Sequence, residues 1–164
     1  MKFIEYSVQW AKGEIFEGMC IAILGVVTLL CTFLVHRYGT TVNARALLLP
    51  SFIFALLFMV LGSYMMYSNN HRITTFQTAY EADPQEFILD EKKRVEDFQI
   101  MYPASLAISA VCFIVTLLAF AFSESATFHA TGLALSAFGL SLIIIDYFSK
   151  ERAHIYYEYI LNHL

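Results

Sequence analysis

The sequence predicts an all-α, polytopic membrane protein: an antiparallel four-helix transmembrane bundle with cytoplasmic helical extensions. The first basis is composition, because hydrophobic residues make up 59% of the 164-residue chain and charged residues only 15%. Soluble domains carry roughly 25% charged residues, since their surface faces water. The second basis is a set of long apolar segments separated by short polar ones. A large part of this protein's surface is therefore expected to contact lipid.

Four segments are apolar over the length of about 20 residues that a helix needs to cross the hydrocarbon core of a membrane. They lie at residues 15–35, 46–67, 103–122 and 127–148. Short polar links join the first segment to the second and the third to the fourth, so each pair is expected to form an antiparallel hairpin. The two predicted transmembrane hairpins cover residues 15–68 and 103–148.

The segments outside the spans are also predicted to be helical. Residues 1–14 place apolar side chains at helical spacing around Trp10, which predicts an amphipathic helix lying in the membrane interface. Residues 149–164 are predicted to form a C-terminal helix, and residues 69–102 a charged helical hairpin. We call 69–102 and 149–164 together the crown. Its charged and aromatic composition is typical of a protein-binding surface.

Within the crown, the dipeptide Asp83-Pro84 predicts the start of a helix. Aspartate is a common N-cap residue, and proline is well tolerated at the first helical position because its missing N–H has no partner there. Glu86 follows three residues after Asp83 and completes a capping pattern. The sequence therefore predicts a helix that begins at about Pro84 and leads towards the third span.

The Lys and Arg residues are distributed unequally between the two ends of the spans. One end holds eight of the ten, namely Lys2, Lys12, Arg72, Lys92, Lys93, Arg94, Lys150 and Arg152. The other end holds Arg37 and Arg45. Because positively charged residues are retained on the cytoplasmic side, both termini and the crown are predicted to be cytoplasmic. The expected location is a cell membrane, in particular the bacterial inner membrane.

Two acidic residues, Glu17 and Asp146, lie inside the predicted spans, about one turn from their cytoplasmic ends. They could form an acidic layer at an inner mouth that binds a cation or a basic partner. The alternative, which we favour, is that both carboxylates snorkel to the interface or pair with Lys12, Lys150 or Arg152.

Small residues recur at helical spacing in two spans, where they permit close approach of helix backbones. The first stripe consists of Gly18, Ala22 and Gly25, and the second of Gly132, Ser136 and Gly139. These stripes predict either a homo-oligomer interface or contact between the first and fourth spans of one bundle. We favour the contact within one bundle.

The C-terminal segment contains an E-x-x-H pattern, which dimetal carboxylate bundles use to direct two ligands into one site. Glu151 and His154 form the pattern, Glu158 lies one turn further on, and Glu91 could supply another carboxylate. A solvated, ion-paired helix face accounts for the same pattern, and we favour this second interpretation. No cofactor is predicted.

Several classes of function are disfavoured by the sequence. It contains no H-E-x-x-H, P-loop, G-x-S-x-G or G-x-G-x-x-G motif. A net charge of −4 disfavours nucleic-acid binding, and the absence of ionisable residues from the middle of the spans disfavours a proton-coupled transporter.

Three classes of function remain, and we rank them in order. The first is a non-enzymatic scaffold, interaction or regulatory protein that acts through the crown. The second is an oligomeric ion channel or pore with an acidic cytoplasmic mouth, and the third is a membrane-embedded enzyme acting on lipid or metal. Besides the lipid bilayer, the expected partners are a cytoplasmic protein and further copies of the chain.

Overall fold

The computed structural model describes residues 3–164, and over this range the chain is helical with no β-strand. Met1 and Lys2, which belong to the predicted segment 1–14, lie outside the described residues. The helices are α1 (Phe3–Tyr38), α2 (Val42–Ala82), α3 (Pro84–Gln99), α4 (Met101–Phe122) and α5 (Ala126–Leu161). The prediction of an all-α chain is confirmed.

The four longest helical stretches are long and apolar enough to cross a membrane. They are α1, α2, α5 and the stretch Pro84–Phe122, which comprises α3 and α4. Only 11–22% of the residues in their most apolar windows are buried within the protein. The side chains of these windows therefore face outwards, as contact with lipid requires. The prediction of four apolar helices of membrane-spanning length is confirmed.

The break between α2 and α3 has the predicted chemistry. The Asp83 carboxylate accepts hydrogen bonds from the backbone N–H groups of Gln85 and Glu86, at 2.9 and 3.0 Å, and Pro84 occupies the first helical position. The backbone N–H of Asp83 donates to the Ala79 carbonyl instead of to Glu86, because it also closes the last turn of α2. Asp83 thus ends one helix and begins the next.

The first described residues differ from the prediction of a separate interfacial helix over 1–14. Residues 3–14 continue into the first span as one helix, α1, and no proline interrupts them. Trp10 is 7% exposed and packs against Phe98 and Tyr156 rather than facing outwards. The buried face of α1 therefore extends beyond the span and covers the crown.

The first two helices pack closely through glycines. Gly18 and Gly62 face each other, and a Cβ atom at either one would fall within 3 Å of the other's backbone. Two turns further on, a Cβ atom at Gly25 would lie 2.8 Å from the Ala55 carbonyl oxygen and 2.7 Å from Met59 Cγ. Close approach along this line depends on the missing side chains.

Hydrogen bonds between side chains and backbone join α4 to α5. Ser109 donates to the Gly139 carbonyl at 3.0 Å, and Thr116 donates to the Gly132 carbonyl at 2.7 Å. The hydroxyl of Ser136 lies 2.9 Å from that of Thr116. Within an apolar environment these bonds give the hydroxyl groups partners on the neighbouring helix.

The two small-residue stripes therefore contact other helices than the sequence indicated. Gly18, Ala22 and Gly25 pack on α2, whereas Gly132, Ser136 and Gly139 pack on α4. The two stripes were expected to meet each other. In the structure each stripe instead packs against the other helix of its own consecutive pair. The reason is the connection, because links of three residues hold consecutive helices together. Contacts between α2 and α5, including Phe54 stacked on Phe138, join the two pairs.

The main hydrophobic core lies where the crown packs against the first turns of α1, and not between the spans. It combines the first turns of α1 with the end of α2, with α3, with the start of α4 and with the end of α5. Its buried members are Phe3, Trp10, Ala11, Phe76, Phe87, Ile88, Val95, Tyr102, Ala153, Tyr156 and Ile160. Five chain segments are therefore fixed relative to one another outside the apolar windows.

Candidate functional site

Three carboxylates are buried beside this core. Glu14 is 2% exposed, Glu91 is 4% exposed and Glu17 is 8% exposed. Burying a charged group costs several kcal/mol unless it is paired and hydrogen-bonded. Each of the three contacts an arginine, so two ionic clusters lie beside the core.

The first cluster joins α1 to α5. The Nη2 atom of Arg152 lies 3.2 Å from the Glu14 carboxylate and also forms an ion pair with Glu17. Both contacts use this one nitrogen, and the buried Nε–H of Arg152 has no acceptor among the residues described. The guanidinium passes over Gly13, where a Cβ atom would lie 3.5 Å from Nε. One cation thus holds two acids that lie one turn apart on α1.

The second cluster joins α3 to α5 and α1. Arg94 donates from Nε to Glu91 at 2.9 Å and forms an ion pair with the same carboxylate. The Tyr156 hydroxyl donates to Glu91 Oε2 at 2.7 Å, and it lies 2.7 Å from Ser7 Oγ. The Glu91 carboxylate is therefore fully engaged, and Tyr156 contacts polar groups of both α1 and α3.

Trp10 packs against both halves of this second cluster. The Arg94 guanidinium lies 4.2 Å from the centre of the Trp10 ring, which is the geometry of a cation–π interaction. The other neighbour is the Tyr156 ring, stacked at 5.2 Å with an interplanar angle of 14°. The aromatic core and the ionic groups therefore form one continuous structure.

Burial changes the proton affinity of two groups in these ionic clusters. It raises the pKa of the Glu14 carboxyl above its ordinary value, and the Arg152 guanidinium opposes this shift. Burial, followed by the Glu91 charge, raises the pKa of the Tyr156 hydroxyl, which therefore stays protonated as a hydrogen-bond donor. The Tyr156 proton is held between two helices and is not poised to ionise.

The two acids of the predicted acidic mouth differ in their partners. Glu17 is buried and paired with Arg152, which was one of the two alternatives for it. Asp146 is half-buried and forms no ion pair among the described residues. It lines a cleft of about 310 Å³ together with Tyr102 and Lys150. The two carboxylates thus have different surroundings.

The four residues considered for a metal site do not converge. Glu151, His154 and Glu158 are exposed on α5, whereas Glu91 is buried against Tyr156. Over residues 3–164 no group of three or more His, Cys, Asp or Glu side chains is arranged to hold a metal ion. The E-x-x-H pattern is thus located on an exposed helix face.

A groove opens between α1 and α2 on the surface of the crown. Its volume is about 640 Å³, and its apolar lining includes Ile4, Val8 and Phe76. Polar side chains, among them Gln9 and Lys12, lie at the same groove. An apolar floor with a polar rim suits the amphipathic helix of a partner protein.

Sequence reasoning did not identify Glu14, Tyr156 or Ser7 as members of a site. A signal for Glu14 was present, because Ser7, Trp10, Glu14, Glu17 and Ile21 recur at intervals of three and four residues. That spacing defines one face of a helix. Two acids on the face that also carries Trp10 and Ile21 indicate buried, paired carboxylates.

The chain matches no known protein family, no curated protein and no solved structure.

Proposed function

We propose that this protein is a non-enzymatic, four-span membrane scaffold that binds a cytoplasmic protein through its crown. In this proposal the four helices form an antiparallel bundle, and both termini lie in the cytoplasm. The bundle holds the crown at the membrane surface, and the crown presents the groove between α1 and α2.

The observation that carries the proposal is the groove on a pre-organised crown. The walls of the groove come from α1 and α2, and Phe76 from its lining is also a member of the hydrophobic core. The ionic clusters and the core fix the helices around it, so binding a partner would cost little ordering of the crown itself. An amphipathic helix would place its apolar face on Ile4, Val8 and Ile73 and its charged face at Lys12.

Site-specific photo-crosslinking tests this proposal in living cells. A photoreactive amino acid at Gln9 lies in the groove, and one at Glu151 lies on the exposed face of α5. We expect a discrete adduct with another protein at Gln9 and none at Glu151. The charge reversal Lys12→Glu is expected to abolish that adduct, whereas Lys93→Glu, on the exposed surface of α3, leaves it in place.

Other outcomes would refute the proposal. An adduct that consists of two copies of this chain would make the groove a self-association surface. Equal adducts at Gln9 and Glu151, or an adduct insensitive to Lys12→Glu, would show that the groove has no specific partner.

Orientation can be tested separately by cysteine labelling. In a variant whose native cysteines are replaced by serine, Thr40→Cys lies in the link between α1 and α2, and Thr78→Cys lies on the exposed surface near the end of α2. With both termini in the cytoplasm, a membrane-impermeant maleimide should label Thr40→Cys in intact cells and Thr78→Cys only after permeabilisation. The reverse pattern would place the crown outside the cytoplasm.

A further inference from the structure

A second cleft lies at the ends of α1 and α2 that are farthest from the crown. Its volume is about 670 Å³, and six of its eight lining residues are aliphatic or aromatic: Leu29, Leu30, Phe33, Leu48, Leu49 and Phe52. Several of these side chains are among the more exposed of the chain, including Leu49 at 69% and Phe33 at 63%. The cleft lies between two helices that are apolar enough to span a membrane, so its surface is expected to be covered by acyl chains.

Two arginines lie one helical turn beyond the apolar residues of this cleft, one on each of its two helices. Arg37 follows Phe33 by four residues on α1, and Arg45 precedes Leu48 and Leu49 by three and four residues on α2. Residues at this spacing share one face of a helix. The link between the helices is only three residues long, so the arginines flank the same end of the cleft.

Neither arginine is neutralised by a neighbouring acid. Both are exposed, and neither forms an ion pair within the described part of the chain. The sequence holds no acidic residue between Glu17 and Glu81. The contact found for Arg37 is with the ring of Tyr38, at 5.8 Å. Two guanidinium groups without a paired carboxylate therefore lie where the apolar lining of the cleft ends.

We propose that this cleft is a binding site for an anionic phospholipid. One acyl chain would lie along the leucines and phenylalanines, and the phosphate would accept hydrogen bonds from Arg37 and Arg45. Guanidinium groups suit phosphate because their planar fork donates two parallel hydrogen bonds. The apolar side chains of the cleft would contact the acyl chain of a lipid. A soluble phosphate would contact the arginines alone and would leave this apolar lining without a role. The inference requires the helices to span a membrane and does not depend on a protein partner for the crown.

Native mass spectrometry of the purified full-length protein in detergent tests this site. The probes are phosphatidylglycerol, phosphatidylethanolamine and phosphatidylcholine with identical acyl chains. All three lipids carry the same ionised phosphate, but the cationic ammonium group of phosphatidylethanolamine and phosphatidylcholine cancels the net headgroup charge and repels the arginines. We therefore expect phosphatidylglycerol to bind about tenfold more tightly than either zwitterionic lipid, since the attraction of an anionic lipid is worth about 1 kcal/mol per arginine. The double variant Arg37→Gln/Arg45→Gln is expected to lose this preference. Lys93→Gln, which removes one exposed charge from the crown, should retain it.

A second pair of variants tests the apolar part of the site. Leu49→Trp partly fills the cleft and is expected to weaken binding of all three lipids. Leu117→Trp adds the same side chain at an exposed position of α4 and should not. Glycerol phosphate, which carries the headgroup phosphate without acyl chains, should fail to displace bound phosphatidylglycerol.

Three results would overturn the proposal. The first is equal binding of the three lipids to the wild-type protein. The second is an unchanged preference in Arg37→Gln/Arg45→Gln, whose folding is checked by circular dichroism. Displacement by glycerol phosphate would be the third, because it would identify a site for a soluble phosphate. Failure of the crosslinking test at Gln9 would leave these measurements unaffected, so the two proposals fail separately.

Discussion

The hydroxyl of Tyr156 lies 2.7 Å from the carboxylate of Glu91, and both residues are buried. The same hydroxyl lies 2.7 Å from Ser7, which is 149 positions away in the sequence. One phenol on α5 thus contacts polar groups of α1 and α3 at once. The crown therefore depends on contacts between distant segments of the chain and not on any single helical hairpin.

Removing the Tyr156 hydroxyl is expected to destabilise the crown. In Tyr156→Phe, the buried Glu91 and Ser7 each lose one of their hydrogen-bond partners, and losing a partner at a buried polar group costs about 1–3 kcal/mol. The measurement is the free energy of unfolding in mild detergent. Tyr157→Phe is the matched control, since Tyr157 donates to Glu96 at 2.7 Å on the exposed surface. Its expected cost is within about 0.5 kcal/mol, and equal losses in the two variants would contradict the prediction.

Removing the cation shared by Glu14 and Glu17 should have a larger effect. Arg152→Gln leaves two buried carboxylates without a counter-charge, and breaking a buried ion pair in this way costs about 3–5 kcal/mol. The measurement is again the free energy of unfolding in detergent. Lys150→Gln, which removes an exposed charge from the same helix, should have little effect.

Neutralising the whole cluster provides a check on that interpretation. The triple variant Glu14→Gln/Glu17→Gln/Arg152→Gln contains no buried charge at this position, so it should be more stable than Arg152→Gln alone. If the triple variant is less stable than the single variant, the loss in Arg152→Gln comes from packing and not from unpaired charge.

The stability of the crown should also depend on pH through Glu14. Because burial raises the pKa of this carboxyl above 4.5, the folded state binds its proton more tightly than the unfolded chain does. The contribution of Glu14 to stability is therefore fully present below the unfolded pKa and is lost as pH rises through the folded pKa. Over that window the melting temperature of Glu14→Gln should fall less than that of the wild-type protein. Glu124→Gln, an exposed control in the link between α4 and α5, should follow the wild type.

Some of this structure could be predicted because it depends on local sequence. A run of about 20 apolar residues identifies a span wherever it occurs, so four long helices were predictable. The helix start at Pro84 was predictable for the same reason, since Asp83 caps neighbouring N–H groups. The packing of residues 3–14 was harder to predict, because an amphipathic segment has the same spacing of apolar residues whether its apolar face contacts lipid or protein. Only the packing of Trp10 against Phe98 and Tyr156 distinguishes the two.

The ionic clusters were less predictable because each pairs residues from distant segments. Arg152 was one of three cations considered for Glu17, and nothing in the local sequence distinguished it from Lys12 or Lys150. The distinction arises because Ala153, Tyr156 and Ile160 are buried in the core, which directs the neighbouring Arg152 towards α1. The small-residue stripes show the same limitation. A stripe indicates that a helix approaches closely, and the short links then determine which helix it is.

The close contact between α1 and α2 leads to a final prediction, on glycine substitutions. In Gly62→Ala the added methyl group would collide with the backbone of Gly18 and Ala22, and rigid backbone cannot move aside as a side chain can. The expected cost is about 1–3 kcal/mol, typical of overpacking. Gly13→Ala places a methyl group at ordinary contact distance from Arg152. Replacing a helical glycine there should stabilise the protein by about 0.4–1 kcal/mol. Unfolding in detergent measures both effects, and a neutral Gly62→Ala would mean that α1 and α2 lie farther apart than this contact requires.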